Sequence, residues 1–210
     1  MRGGTGQCSF PRSKVTEQCS GWKDRMKARD LALIALFAGL TAALGLTPVI
    51  PLPILGITFA LQTLGMLLAG GVLGAKRAAL AMLLVLALVA IGLPVLTGGQ
   101  GGLGKFVGPT AGFIWSWPLG GLIVGALIER WWTTLTFLTA FIAALLGSVS
   151  LYLLGHTWLS VSLGIPVDTA MWTWVLYLPG DILKSILAGV IIVSVKKAYP
   201  LINPHQKESP

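Results

Sequence analysis

The sequence predicts an all-α integral membrane protein of six transmembrane helices, with both termini on the cytoplasmic side. Three observations predict it. Only 10% of the 210 residues are charged and 55% are hydrophobic, whereas soluble domains carry roughly a quarter charged residues. So little charge cannot cover a water-facing surface, and the mean hydropathy of +0.83 agrees. The apolar residues also fall in runs close to the roughly 20 that cross a bilayer. Finally, the basic residues gather in the tails and in alternate connections.

The first apolar run covers residues 31–47 and stops at Pro48, Pro51 and Pro53. These prolines end a helix and favour an extended turn. The second covers 54–74 and is followed by Lys76 and Arg77. The third covers 78–96, and a glycine-rich loop follows at 97–109. The fourth covers 110–128 and is closed by Glu129 and Arg130. The fifth covers 131–154. Residues 155–170 are mixed, and 169–178 are apolar but too short to span, so they read as a short helix lying at the outer interface. Pro179 and Gly180 are read as breaking it, and the sixth span then covers 180–195.

Charge placement orients the bundle. With the N-terminus inside, thirteen of the fifteen basic residues fall on the inner side, Lys105 falls outside and Lys184 falls within the sixth helix. Basic residues resist translocation, so this asymmetry sets the topology as plasma-membrane, multi-pass, with both ends cytoplasmic. Trp131 and Trp132 fall at the inner interface and Trp158, Trp172 and Trp174 at the outer one, where indole rings prefer to sit. The net charge of +8 therefore reads as topology rather than as a nucleic-acid-binding face.

The chain divides into a basic tail (1–30) without regular structure, a membrane domain (31–197) and a cytoplasmic C-terminal tail (198–210). The N-terminal tail has no apolar run and so is not a secretory signal. Met26 followed by Lys27 offers a second start, which would make residues 1–25 dispensable. Cys8 and Cys19 lie in this tail, in a spacing that matches no zinc motif.

Asp181 and Lys184 are the most informative pair, in Leu178-Pro179-Gly180-Asp181-Ile182-Leu183-Lys184. Charges at membrane depth are costly and usually functional, and a spacing of three puts both on one helix face. The alternative is a helix cap with a local ion pair, because Pro179 suits a first turn and a carboxylate is favoured at a helix N-terminus.

The loop Gly98-Gly99-Gln100-Gly101-Gly102-Leu103-Gly104-Lys105 contains a G-x-G-x-x-G pattern and the start of a P-loop. Neither follows a strand, and Phe106 stands where a P-loop needs Ser or Thr for magnesium. What remains is a glycine loop whose backbone N–H groups can approach a ligand, or a flexible connection.

Gln62 lies four residues after Thr58, on one face of the second helix, and would serve either interhelical bonding or ligand contact. Phe113, Trp115 and Trp117 are core, lipid-facing or stacking residues. His156 reads as a lone loop histidine without a role. Ala35, Gly39 and Ala43 form a small-residue stripe on the first helix, with Ala38 and Ala42 beside it, over which another helix can approach closely. No ATP-binding motif, hydrolase elbow or metal cluster is present in the sequence, so any driven transport needs energy from another protein.

In this order, Ile50-Pro51-Leu52-Pro53, Leu61-Gln62-Thr63-Leu64-Gly65-Met66-Leu67-Leu68-Ala69-Gly70, Ile91-Gly92-Leu93-Pro94-Val95, the glycine loop, Gly108-Pro109-Thr110-Ala111-Gly112-Phe113 and the Leu178–Lys184 segment resemble the BioY family. These are the biotin-specific substrate-binding (S) components of energy-coupling factor transporters. The resemblance covers residues 28–197.

It implies a six-helix S-component fold, biotin bound near the outer face, a transmembrane coupling subunit and two cytoplasmic ATPases as partners. ATP would be used by those partners, with no cofactor in this chain. It carries the family's ligand pair onto Asp181 and Lys184 and its docking face onto Ala35, Gly39 and Ala43. Gly99, Gln100, Gly101, Gly102, Gln62 and Phe113 join the candidate binding residues. Biotin's chemistry fits: Asp181 accepts from a ureido N–H, and Lys184 donates to the ureido carbonyl or to the carboxylate tail. The competing readings are an S component for another vitamin, a membrane enzyme using Asp181 and Lys184 as an acid–base pair, and a purely structural subunit.

Overall fold

The computed structural model of the chain describes residues 12–46, 50–52, 57–59 and 61–198, with side chains from residue 28 onward except those of 47–60, 170, 173 and 176. The chain divides into two units, Met1–Leu33 and Ile34–Pro210. Its described elements are α1 (Arg12–Gly45), β1 (Ile50–Leu52), β2 (Ile57–Phe59), α2 (Gln62–Leu73), α3 (Ala75–Ala90), α4 (Ala111–Arg130), α5 (Phe137–Leu163) and α6 (Val167–Ala198).

Four stretches are long and apolar enough to cross a membrane among the described residues: Ala28–Gly45, Ala111–Arg130, Phe137–Leu163 and Tyr177–Ala198. Leucines along them, including Leu36, Leu122, Leu146 and Leu187, remain exposed. So broad an apolar surface is unsuited to water and natural against lipid.

Several boundaries differ from the sequence reading. α1 begins at Arg12 rather than at residue 31, so a tail without regular structure is corrected over 12–30. An apolar run marks only where lipid is tolerated, whereas Lys, Arg, Glu, Gln, Met and Ala continue a helix into water. Residues 1–11 and 199–210 lie outside the described residues. Between α1 and α2 the chain forms an antiparallel pair, Ile50 opposite Phe59 and Leu52 opposite Ile57. The prolines exclude a helix there, and Ile50, Ile57, Thr58 and Phe59 suit strands. Thr58 is therefore in β2, and the Thr58–Gln62 helix face does not exist.

The separate interfacial helix also disappears. α6 runs unbroken from Val167 to Ala198 with Pro179 inside it. A proline removes one backbone bond, but it ends a helix only where the surrounding turns lack support. α4 likewise contains Pro118. α5 starts at Phe137, later than expected, because Thr136 and Thr139 form a capping box. Reciprocal side-chain bonds to the free N–H groups fix a helix start there. α5 ends only at Gly164, with a left-handed φ of 65°.

α4 packs against α5, α3 and α2, and α6 packs against α5 and α2. Glycines set the approach. A Cβ on Gly125 would overlap the backbone of Gly74 and Ala75, and one on Gly65 would overlap Thr41. Backbone cannot move aside as a side chain can, so Gly125→Ala is expected to cost about 1–3 kcal/mol. A thermal midpoint equal to that of wild type would contradict this close approach.

At one end of the bundle Glu129 Oε1 accepts from the Ala75 N–H at 2.8 Å, capping α3 from across the α2–α3 turn. Lys196 Nζ donates to the Trp132 carbonyl at 2.6 Å and lies over its indole. At the other end Trp158 Nε1 donates to the Gly108 carbonyl at 3.0 Å and Trp115 Nε1 to that of Phe106 at 3.3 Å.

Candidate functional site

α6 places Trp174, Tyr177, Asp181, Lys184 and Ser185 at helical spacings of three, four, three and one, so they share one stripe. Asp181 and Lys184 are 3% and 6% exposed, and Lys184 Nζ lies 3.3 Å from Asp181 Oδ1. Asp181 sits in the middle of α6, not at a helix start, which removes capping as the reason for its presence. A buried ion pair in an apolar bundle is poor evidence of stability on its own, because desolvation offsets the attraction. The second carboxylate oxygen, Asp181 Oδ2, is buried without a hydrogen-bond partner, and so is Ser185 Oγ.

α5 lays an aromatic wall against this stripe. Tyr152 lies beside Asp181 and Tyr177. Its ring is 5.9 Å from Trp174 and 6.2 Å from Tyr177, centroid to centroid. His156 follows one turn later, 1% exposed, with Nδ1 3.0 Å from the Tyr152 carbonyl. That carbonyl can only accept, so Nδ1 carries a proton. Phe113 of α4 stands edge-on to His156 at 5.1 Å and to Tyr152 at 6.2 Å. Phe113 is admitted by Gly155, where a Cβ would overlap its ring. Such a wall can bury a flat, apolar ligand body while the pair beside it binds a polar edge.

Of the sequence candidates, Asp181, Lys184 and Phe113 thus come together. Gln62 is placed elsewhere: its Oε1 accepts from Thr97 N at 3.0 Å and Oγ1 at 2.9 Å, and its Nε2 donates to Val95 O at 2.8 Å. At 2% exposure it moors the start of the glycine loop. The loop itself is held by backbone hydrogen bonds. Gly98, Gly99 and Gly102 have positive φ, which glycine alone adopts readily. The N–H groups of Gly99 and Gln100 donate to Leu96 O, and that of Gly102 to Val89 O. Gly101 fits against Leu93, where a Cβ would collide with the carbonyl.

Gln62→Leu is expected to leave three partly buried polar groups unpaired, Thr97 N, Thr97 Oγ1 and Val95 O, each costing part of a full desolvation penalty of about 1–3 kcal/mol. Faster amide exchange over residues 95–102 would register it, and unchanged protection would contradict the mooring role. Ala35, Gly39 and Ala43 lie exposed on α1, opposite the buried Ile34, Ala38 and Thr41. Nothing stands within 4 Å of where a Gly39 Cβ would be.

Sequence reading missed Tyr152, His156, Trp174, Tyr177 and Ser185. For Trp174 and Tyr177 the signal was the i, i+3, i+4 spacing onto Asp181, hidden when α6 was cut at Pro179; Ser185 adjoins Lys184 within the sixth span, and Tyr152 and His156 reach the site only through the packing of α5 on α6. His156, taken for a loop residue, belongs to the interior of α5.

Comparison with known proteins decides the family. The BioY family profile matches residues 17–201. The chain belongs to the BioY family. A biotin transporter BioY of Rhizobium etli is 43% identical over 186 residues, covering 84% of this chain and 98% of its own length. A biotin transporter BioY of Rhodobacter capsulatus is 44% identical over 182 residues, covering 82% and 95%. A solved structure, the S-component for biotin from an ECF-type ABC transporter, is 33% identical with a TM-score of 0.74. It covers 82% of this chain and 93% of that one. This BioY-family chain is thus a helical, multi-pass membrane transport protein, not an enzyme.

Proposed function

We propose that the chain captures biotin at the outer face of the plasma membrane and delivers it inward as the S component of an energy-coupling factor transporter. The observation that carries this reading is the buried Asp181–Lys184 pair in a chain that nearly spans the length of biotin transporters. The ureido edge lies against Asp181 and Lys184, and the fused rings lie against Phe113 and the Tyr152–His156 wall. The loop of Gly99, Gln100, Gly101 and Gly102, moored by Gln62, covers the outer mouth and tightens on binding.

All six helices cross the bilayer, with both termini cytoplasmic. α2, at 12 residues, is about 18 Å long and needs the β1–β2 segment to complete its crossing. The end that holds the contacts of Glu129 with Ala75 and of Lys196 with Trp132 carries Lys76, Arg77, Arg130 and Lys197, which supports placing it in the cytoplasm. Ala35, Gly39 and Ala43 dock a transmembrane coupling subunit. Two cytoplasmic ATPases use ATP, and this chain needs no cofactor of its own.

A vitamin panel tests the reading. Purified protein is expected to retain labelled biotin and to release it chemically unaltered. Retention of a different vitamin would replace the ligand, and recovery of an altered product would revive the acid–base alternative.

A further inference from the structure

The hydroxyl of Ser185 behaves unlike five other helix hydroxyls among the described residues. Thr41, Ser116, Ser150, Thr157 and Ser194 each donate to a carbonyl three or four residues back, at 2.6–2.8 Å. This is the ordinary refuge of a hydroxyl in an apolar setting. Ser185 is 0% exposed, and its Oγ has no partner. One turn earlier on the same face, Asp181 Oδ2 is also buried and unpartnered. A buried polar atom without a partner costs about 1–3 kcal/mol, so two on adjacent turns call for a common polar occupant.

We infer that Ser185 is a further ligand-binding residue, and that it bonds the ureido group of biotin together with Asp181. This rests on the biotin reading and deepens it. The rise between the two turns is about 5.4 Å. A cyclic urea with N–H groups on both sides, making bonds of about 2.9 Å, covers that separation. Asp181 Oδ2 accepts from one ureido N–H and Ser185 Oγ accepts from the other, while Lys184 donates to the carbonyl between them. Aliphatic or purely carboxylate ligands offer no such pair of donors. Ser185 is thereby a specificity residue for the urea edge rather than for the tail.

The test uses the purified full chain as wild type and Ser185→Ala, a change that removes one oxygen and adds no bulk. Biotin and desthiobiotin, which keeps the urea ring but lacks the thioether ring, are titrated directly. Biotins methylated on one or the other ureido nitrogen are measured by competition against labelled biotin. Ser185→Ala is expected to lose about tenfold in affinity for biotin and desthiobiotin alike, about 1.4 kcal/mol. Against one of the two methyl biotins that penalty should shrink to about twofold or less, because the bond is already blocked. The melting temperature without ligand should not fall. Biotin affinity within about twofold of wild type, or an equal penalty on both methyl biotins and on biotin, would overturn the assignment. If wild type itself binds no biotin, the biotin reading fails and this inference falls with it. If wild type binds and Ser185→Ala matches it, only this inference falls.

Discussion

Asp181→Asn and Lys184→Met are each expected to weaken biotin binding by at least about tenfold, or 1.4 kcal/mol. The reason is the environment. Both groups are almost fully buried and lie 3.3 Å apart. An asparagine in place of Asp181 would keep the shape but not the charge, and would leave the Lys184 ammonium without its carboxylate. Breaking a buried pair from one side costs about 3–5 kcal/mol, whereas removing both partners is far milder. The double variant Asp181→Asn/Lys184→Met should therefore melt at a higher temperature than the summed single effects require, yet still fail to bind biotin. Stability and binding would separate along different variants, which a merely structural ion pair does not allow. Additive losses of stability, with binding intact, would assign the pair to packing.

Gly39→Trp is expected to leave biotin binding unchanged and to abolish uptake driven by the partner ATPases. A Cβ at Gly39 meets nothing within 4 Å among the described residues, so the substitution points into open space. Its large ring would instead stand on the exposed Ala35–Gly39–Ala43 face, where the proposed coupling subunit would need close approach. Loss of the coupling subunit on co-purification, with normal biotin affinity, would mark this face as the docking surface. Undiminished uptake of labelled biotin would make the stripe a lipid-facing surface and move docking elsewhere.

The membrane character, the order of the helices and the Asp181–Lys184 pair were legible because each depends on local chemistry. Charge is scarce, apolar runs have bilayer length, and an aspartate and a lysine three residues apart must share a face. Boundaries were legible only where the sequence forbids continuation. α1 ends at Gly45, close to where Pro48 and Pro51 forbid continuation, but Pro179 does not stop α6, because packing on α5 and α2 supports the flanking turns. That one error hid Trp174 and Tyr177. Once α6 is continuous, Trp174 and Tyr177 fall in line with Asp181, and Tyr152 of α5 stacks beside them. Gln62 shows the opposite limit. A buried glutamine announces a partner, but only the fold could show that the partner is Thr97 and Val95 in the following loop.

The most direct measurement is calorimetric titration of the purified wild-type chain with biotin, without any partner subunit, beside folded Asp181→Asn. Tight binding by wild type that falls by at least about tenfold in the variant is the expected result. Tight binding untouched by the substitution would keep biotin and remove Asp181 from its pocket. No binding by folded wild type would contradict biotin capture outright.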